Sequence, residues 1–288
     1  MIKSSELILN PDGSVYHLNL KPEHIAHDII FVGDQNRVEK ITQNFEKIEF
    51  STQKREFKTQ TGVFKGKRIT VMSTGIGPDN IDIVMNELDA LVNIDLETKM
   101  PKEELTSLNI IRIGTSGSLH ADIPCDSFVM NTYGLGLDNM LRSYVINEIT
   151  NKPLEDAFIQ HTTWDANKGR PYAVQCSKKL EKLIESELIF KGITATAGGF
   201  YGPQGRVLRL EIQDSELNSK MDSFEFENNR ITNLEMETAA IYGLGKLLGH
   251  NCLSLNAIIA NRALGTFSAD PYKAVDALIE YTLDKLAK

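Results

Sequence analysis

The 288-residue chain is 41% hydrophobic, enough for a large core, and sets 31 Lys and Arg against 39 Asp and Glu for a net charge of −8. With that balance and no run of five like charges, neither nucleic acid nor an anionic membrane surface is expected as the main partner, and any anion must be held locally by a few arginines. Cys125, Cys176 and Cys252 are far apart, with no C-x-x-C, no apolar N-terminal leader and no stretch of transmembrane length, which together suit a reducing cytoplasm.

Residues 14–20 read as a short extended segment carrying His17. His24 and His27 follow, three apart and without a third ligand in view, as on a solvated helix face. The apolar run from Asp28 to Gly33 predicts a strand that turns into a helix, placing backbone N–H groups and Arg37 where an anion could be received. The plain alternative is an N-cap Asp34 and a surface arginine. Residues 55–64 and 67–74 read as two strands joined at Gly66, and Gly75 to Asn80 as a turn. Ile81, Val84, Leu88 and Leu91 then recur at helical spacing. The polar stretch 93–107, with Pro101, reads as a surface insertion.

The stretch Asn109-Ile-Ile-Arg-Ile-Gly-Thr-Ser-Gly-Ser-Leu119 is the most informative. Ile110, Ile111 and Ile113 fit a strand covered on both faces, and Gly114 and Gly117 are expected to mark a sharp turn at its end. Arg112 is out of place there. A buried guanidinium needs an anionic partner, so a protein carboxylate or a bound anion should sit against it. Thr115, Ser116 and Ser118 beside free backbone N–H groups would suit a phosphate.

Residues 126–133 predict another strand, and 134–175, with Trp164 and Gly169-Arg-Pro, either a lid or a long connection. Helical spacing runs from Ser177 to Phe190. A strand over 192–197 leads into Gly198-Gly-Phe-Tyr-Gly-Pro-Gln-Gly-Arg206, and a polar helix is expected over 214–225. Ile231 to Glu237 reads as a strand running into a helix whose Met236, Ala239, Ala240, Gly243 and Leu247 share a face, with Gly249 as its cap. A last strand over 252–260 and a helix over 271–286 close the chain. Strands alternating with helices predict one α/β domain over residues 1–288, with helices on both faces of a mixed, largely parallel sheet. Gly134-Leu-Gly136 and Gly243-Leu-Gly245 lack the third glycine of a dinucleotide fingerprint, and Gly62 to Lys67 has the wrong spacing for a P-loop.

As an ordered set, these motifs resemble the nucleoside phosphorylase superfamily and, within it, the uridine phosphorylases. The resemblance runs from Tyr16-His17-Leu18 through Gly33-Asp-x-x-Arg37, Arg55-Glu-Phe57, Ser73-Thr-Gly-Ile-Gly77, Arg112-Ile-Gly-Thr-Ser-Gly117, Phe200-Tyr-Gly-Pro-Gln-Gly-Arg206 and Glu235-Met-Glu237 to Asn261-Arg262. It implies a three-layer sandwich, and cleavage of uridine, or of deoxyuridine or thymidine, by inorganic phosphate. Gly33, Arg37, Arg112 and Thr115 would bind phosphate, with Arg55 delivered by a neighbouring subunit. Glu235, Met236 and Glu237 would hold the ribose, whose 5′-hydroxyl meets a neighbour's His17. Phe200 would pack on the base while Gln204 and Arg206 read uracil. The resemblance further implies a homodimer, or a hexamer built as a trimer of dimers, and a potassium-like cation near Glu56, Ile69 and Ser73 at a dimer interface. No organic cofactor is implied.

Physical chemistry gives the same residues work to do. Phosphate attacks C1′ as the glycosidic bond breaks, with positive charge developing on the sugar and negative charge on the base, so no protein nucleophile is required. Arg37 and Arg112 supply proximity by fixing the phosphate, and Arg206 with Gln204 catches charge on the departing base. Glu237 can accept from the ribose hydroxyls, and a place in a helix's first turn is expected to keep it ionised. In purine-cleaving relatives an aspartate stands at Asn261, so its absence favours a pyrimidine. Gln35 replaces a usual proline, which predicts a looser phosphate loop, and Gly205 replaces a larger residue of some relatives. The rivals are a purine nucleoside phosphorylase, a nucleoside hydrolase of the same superfamily, and a non-catalytic nucleoside-binding paralogue.

Overall fold

A computed structural model describes all residues from Met1 to Lys288. The first strand, β1 (Asp28–Val32), is buried throughout and is followed by α1 (Gln35–Thr42), capped by the Asp34 side chain on the Asn36 N–H at 3.0 Å. A meander of β2 (Lys47–Lys54), β3 (Phe57–Phe64) and β4 (Lys67–Ser73) returns to pair with β1. Helix α2 (Pro78–Asn93) leads to the hairpin β5 (Ile94–Asp95) and β6 (Met100–Pro101), then to β7 (Asn109–Ser118) and β8 (Phe128–Gly136). After α3 (Lys152–Thr162), β9 (Tyr172–Gln175) and α4 (Lys178–Ile184) come β10 (Ile189–Thr196), α5 (Leu217–Asp222) and β11 (Glu225–Phe226). The chain ends with β12 (Asn229–Glu235), α6 (Thr238–Leu248), β13 (Asn251–Asn261), β14 (Thr266–Phe267) and α7 (Pro271–Leu286).

The strands other than β5 and β6 form one mixed sheet in the order β11-β12-β10-β8-β13-β7-β1-β4-β3-β2, with β9 on β8 and β14 on β13. Its parallel centre is buried, with helices packed against it: α6 lies over β8, β10 and β13, and α7 over β7 and β13. One half of the sheet curls. The far end of β7 pairs with β12 at Gly117 and Ser118, so β7, β12, β10, β8 and β13 close on themselves as a small barrel. The main apolar core runs along β1, β4, β7 and β13 beneath the helices, and a second, smaller core joins α3, α5, β10 and β12.

Several local expectations are corrected. Gly114 and Gly117 do not turn the chain: β7 continues as strand to Ser118, paired with β13 up to Asn261 across a register shift between Ile258 and Ala260. Gly114 is needed for another reason, since a Cβ there would collide with the Arg112 guanidinium and lie 2.7 Å from Asn256 Oδ1. Helical spacing over 177–190 covers only α4, because the chain turns at 185–188 and re-enters the sheet as β10. The polar helix over 214–225 is likewise only α5. Residues 14–20 form turns around one bridge between Leu9 and Val15 rather than a strand. The insertion 93–107 holds the β5–β6 hairpin, which is tied to the N-terminal segment by Ile2 N–H on Lys99 O at 2.9 Å and Lys99 Nζ on Ser4 Oγ at 2.9 Å.

The three cysteines are free thiols. Burial pushes Cys176 up to about 12, as expected of a structural rather than reactive thiol. His24 stacks on Phe50 with ring centroids 3.7 Å apart and no group of three or more His, Cys, Asp or Glu side chains converges as a metal site. No helix is long and apolar enough to cross a membrane.

Candidate active site

The sheet opens where β1 stops and β7 goes on. β1 pairs with β7 only as far as Phe31 on Arg112, after which the chain leaves at Gly33 for α1 while β7 continues to Ser118. Open α/β sheets hold ligands in such a crevice beyond the strand ends. A cavity of about 730 Å³ occupies it, lined among others by Gly33, Arg37, Arg112, Thr115, Phe200, Gln204, Arg206, Glu235, Met236 and Glu237. Residues from four separate stretches of sequence thus meet in one place.

At one end stand two guanidinium groups. Arg112 comes from the middle of β7 and donates through Nη2 to Glu237 Oε2 at 2.5 Å and through Nη1 to Asn256 Oδ1 at 3.1 Å, with Glu235 Oε2 a further 3.7 Å contact. Burial works against its charge, but Glu237 and then Glu235 outweigh that and hold the guanidinium above its ordinary value. The carboxylate partner demanded by a buried arginine is therefore present, and the cavity is open beside it. Arg37, on the first turns of α1, reaches back to Ile113 O at 3.3 Å. Its ionisation is lowered by burial and then by Arg112, with only partial relief from Asp34. Two mutually repelling cations facing one cavity favour an anion between them.

Gln35 tightens this end rather than loosening it. Its side-chain amide donates to Arg55 O at 3.0 Å and accepts from Gln53 at 2.8 Å, tying the start of α1 to the β2–β3 turn. Arg55 occupies that turn at φ 55°, exposed and outside this chain's cavity lining. His17 is also outside it, held by Glu87, which accepts from the His17 and Leu18 N–H groups at 3.0 and 2.9 Å and contacts His17 Nδ1 at 2.6 Å.

The next wall is the β12–α6 junction, and its two glutamates divide the work. Glu235 accepts from the Glu237 and Thr238 N–H groups, each at 2.8 Å, and from Thr196 Oγ1 at 2.5 Å, so its carboxylate caps α6 from within. Glu237 instead accepts from Gly77 N–H at 2.8 Å on one oxygen and from Arg112 on the other. The expectation that the helix end keeps Glu237 readily ionised is corrected. Burial pushes the pKa of its carboxyl above the ordinary 4.5 despite Arg112, and Glu235 adds to the rise, so the proton is given up less readily than by a free glutamate. Met236, between them, is half-buried and faces the cavity.

The far end is built on the turn Gly202–Gln204, with Gly205 ending it at φ 70°. A side chain at Gly205 would suffer both that left-handed backbone and the Asn218 amide, 2.6 Å from its Cβ, which accounts for the glycine. Gln204 is buried, and its Oε1 accepts from Arg206 Nη1 at 2.5 Å and Arg262 Nη2 at 3.1 Å. Arginine can only donate, so the amide orientation is forced and Nε2 is left free to donate. The Arg206 guanidinium lies 3.8 Å from the centroid of Phe200, itself half exposed. Sequence reading passed over Arg262 as a site residue although it adjoins Asn261. Burial and then Arg206 press Arg262 down to about 10, and it anchors to Gln204 O at 2.8 Å.

Asn261 does not face the cavity. Its Nδ2 donates to His120 O at 2.8 Å and Ile123 O at 2.9 Å, and its Oδ1 accepts from Leu264 N–H at 2.9 Å. Both of its amide protons and one acceptor position are spent on holding the chain around the end of β13.

A family model described as the phosphorylase superfamily matches residues 28–286. A uridine phosphorylase of Thermococcus kodakarensis is 27% identical over 270 residues, covering 92% of this chain and 83% of that protein. A purine nucleoside phosphorylase of the DeoD type from Listeria monocytogenes is 24% identical, covering 83% of this chain and 84% of the other. Among solved structures, a Trypanosoma brucei nucleoside phosphorylase described as showing uridine phosphorylase activity superposes with a TM-score of 0.87 at 29% identity, covering 97% of this chain and 99% of that one.

Proposed function

Because the chain belongs to the phosphorylase superfamily, over residues 28–286, we propose that it cleaves the N-glycosidic bond of uridine with inorganic phosphate, releasing uracil and ribose 1-phosphate. The observation that carries this reading is the arrangement along one cavity of Arg37 and Arg112 at one end, Glu237 in the middle, and Gln204 with Arg206 at the other, where Arg262 holds the Gln204 amide. The uridine phosphorylase names borne by the Thermococcus relative and the trypanosomal structure support the choice of base.

Phosphate, held between Arg37 and Arg112 with Thr115 and the Gly33 backbone beside it, stands beneath C1′. Its bound geometry supplies proximity, and its own negative charge steadies the cationic sugar. Glu237, already carrying a Gly77 N–H and Arg112, accepts from the ribose hydroxyls, while Met236 closes against the sugar. Glu235 is a positioning residue, since its oxygens are engaged by the α6 backbone and Thr196. Phosphate is the co-substrate and no organic cofactor takes part. A hydrolase would have no use for two cations aimed at one anion site. Uracil release from uridine should therefore depend on added phosphate, and release at an equal rate in phosphate-free buffer would make the protein a hydrolase.

Arg55 and His17 are proposed to complete the cavity of a neighbouring copy in a homodimer, or in a trimer of dimers. Both are held in fixed local settings, Arg55 by the Gln35 bridge and His17 by Glu87, yet neither lines its own chain's cavity. If so, mixing Arg55→Ala and Arg112→Ala chains should regain activity through hybrid dimers with one intact site. Proven subunit exchange without any regain would count against a shared site. A potassium-like cation at the dimer interface would rest chiefly on Glu56, because Ile69 is a fully buried strand residue. Ser73 Oγ already donates to Glu56 O at 2.6 Å and accepts from Lys58 N–H at 2.8 Å. We place the protein in the cytoplasm, acting as one domain over 1–288, on the strength of its free thiols and its single large sheet.

A further inference from the structure

The inside of the small barrel is polar where an apolar filling would be ordinary. Asn131 of β8, Asn233 of β12 and Asn256 of β13 are fully buried there, each 0% exposed. They are linked end to end: Arg112 Nη1 donates to Asn256 Oδ1 at 3.1 Å, Asn256 Nδ2 to Asn131 Oδ1 at 2.7 Å, Asn131 Nδ2 to Asn233 Oδ1 at 2.8 Å, and Asn233 Nδ2 to Ser116 Oγ at 3.0 Å. Both ends of the line, Arg112 and Ser116, face the cavity.

The direction of this line is fixed by chemistry. A guanidinium has no acceptor, so Asn256 must turn its oxygen to Arg112 and its amino group away. Asn131 must then accept and pass on a donor, and so must Asn233. The last donor fills an acceptor position on Ser116 Oγ, which makes no other hydrogen bond within the chain. Its own proton is therefore left to point into the cavity. Amide chains polarise one another in a low-dielectric interior, so the charge on Arg112 strengthens each successive donor. Around the line, the single proton of Thr232 Oγ1 is shared between Asn233 Oδ1 at 2.8 Å and Ile193 O at 3.1 Å, and Tyr242 pins the Asn131 backbone carbonyl at 2.6 Å. An apolar barrel would fill the space without these groups, and a half-satisfied network would be worse than either.

We propose that Asn256, Asn131 and Asn233 are positioning residues that act as one directional relay. It holds the Arg112 fork at one end and, at the other, sets the Ser116 hydroxyl as a hydrogen-bond donor to the bound substrate. The inference rests on the phosphorylase reading of the cavity. The substitution Asn233→Asp tests it sharply. The introduced carboxyl, when ionised, would accept from Ser116 and draw its proton inward, whereas in its protonated form it can donate to Ser116 as the amide does. The cations of the two flanking strands are already engaged, Arg230 of β12 by Asp122 at 2.5 Å and Lys191 of β10 by Glu185 at 2.6 Å, and His120, against the β12 backbone at Ile231 O, faces Asp222 at 3.0 Å, so burial raises such a carboxyl and both forms can be reached by changing pH. The charged groups nearest the relay are Arg112 at its own end, with Glu235 and Glu237 against that guanidinium.

The experiment measures kcat/KM for phosphate, with uridine, in the wild type, Asn233→Asp, Ser116→Ala and the double variant, at about pH 8 and about pH 6, with thermal unfolding run alongside. At the higher pH each single variant should lose ~10-fold or more, and the double variant no more than the worse single, because both remove the same donor. Asn233→Asp should regain activity at the lower pH relative to the wild type, and Ser116→Ala should not. Additive losses would mean that the introduced carboxylate acts only through space, and an Asn233→Asp enzyme equal to wild type at both pH values would mean no relay; either result overturns the proposal. Should Asn233→Asp fail to fold, Asn131→Ser cuts the same line at its centre and enters the same cycle with Ser116→Ala, where additivity again overturns it. A wild-type protein that releases no uracil with phosphate would instead sink the functional reading, independently of the relay.

Discussion

Arg112→Ala is expected to cut kcat/KM for phosphate by ~10²-fold or more and to raise the phosphate KM, because the lost charge acts on the reacting group itself. The structure adds a second consequence. Arg112 is the cationic partner of Glu237 at 2.5 Å and lies 3.7 Å from Glu235, and both carboxylates are buried. Breaking a buried pair by removing one member costs about 3–5 kcal/mol, since the charge left behind has no compensation. Glu237 already stands above the ordinary 4.5, and the variant loses the guanidinium that restrains it, so its folded-state value rises further. A carboxyl raised on folding binds protons more tightly in the folded state. Measured against the wild type, the Glu237 contribution to the variant's stability is therefore most favourable in acid and is lost as the pH climbs from the ordinary glutamate value through the raised one. Thermal unfolding against pH, beside steady-state kinetics at a temperature where the variant is folded, separates the two effects. Arg112→Lys should recover much of the stability and little of the activity, because an ammonium restores charge without the planar fork that spans Glu237 and Asn256. Unchanged phosphate kinetics in folded Arg112→Ala would take Arg112 out of the site.

Much of this site was legible before the fold because its residues violate local expectation. Arg112 announces itself as a charge inside an isoleucine run, Arg37 as a cation at a helix start, and Gln204 with Arg206 as polar groups flanking a glycine turn. The alternation of apolar runs and helical spacings sufficed for the α/β class. What escaped is whatever depends on strands meeting out of order. The barrel exists because Gly117 and Ser118 pair with β12, a contact more than a hundred residues away in sequence, and only that closure brings Asn131, Asn233 and Asn256 into line. Each of them taken alone is an asparagine in an apolar strand, with nothing local to say where its amide goes. The glycines misled for a related reason. Gly114 gives room for the side chain of its neighbour Arg112 rather than bending the chain, and a sequence cannot separate those two needs. Asn261 drew notice as a position bearing on base choice, yet its side chain faces three backbone groups rather than the cavity.

Uridine should be preferred over cytidine by ~10⁴ or more in kcat/KM, the scale on which a site built to pair a buried polar edge rejects the analogue that mispairs it. The argument starts from Gln204 Oε1, which within the chain holds donors from both Arg206 and Arg262. Uracil brings a donor of its own at N3–H, flanked by two carbonyl acceptors. On binding, N3–H can replace Arg206 at Oε1, Gln204 Nε2 can donate to one carbonyl, and the released Arg206 can take the other. Arg262 keeps its grip throughout, so the amide cannot flip. Cytosine breaks the exchange twice: N3 has no hydrogen to offer Oε1, and the amino group at C4 meets a guanidinium. Arg206→Ala should accordingly lose ~10²-fold or more on uridine, where charge gathers on the leaving base. It should gain nothing on purines. Inosine and adenosine should be poor substrates of the wild type, and Asn261→Asp should not improve them, because the new carboxylate would face His120 O and Ile123 O, two acceptors, and destabilise the end of β13 instead. Rates on uridine, cytidine, inosine and adenosine under one phosphate concentration decide the matter. Inosine phosphorolysis at a kcat/KM matching uridine would overturn the pyrimidine assignment and leave the superfamily standing, and a cytidine rate within ~10-fold of uridine would sink the donor exchange at Gln204.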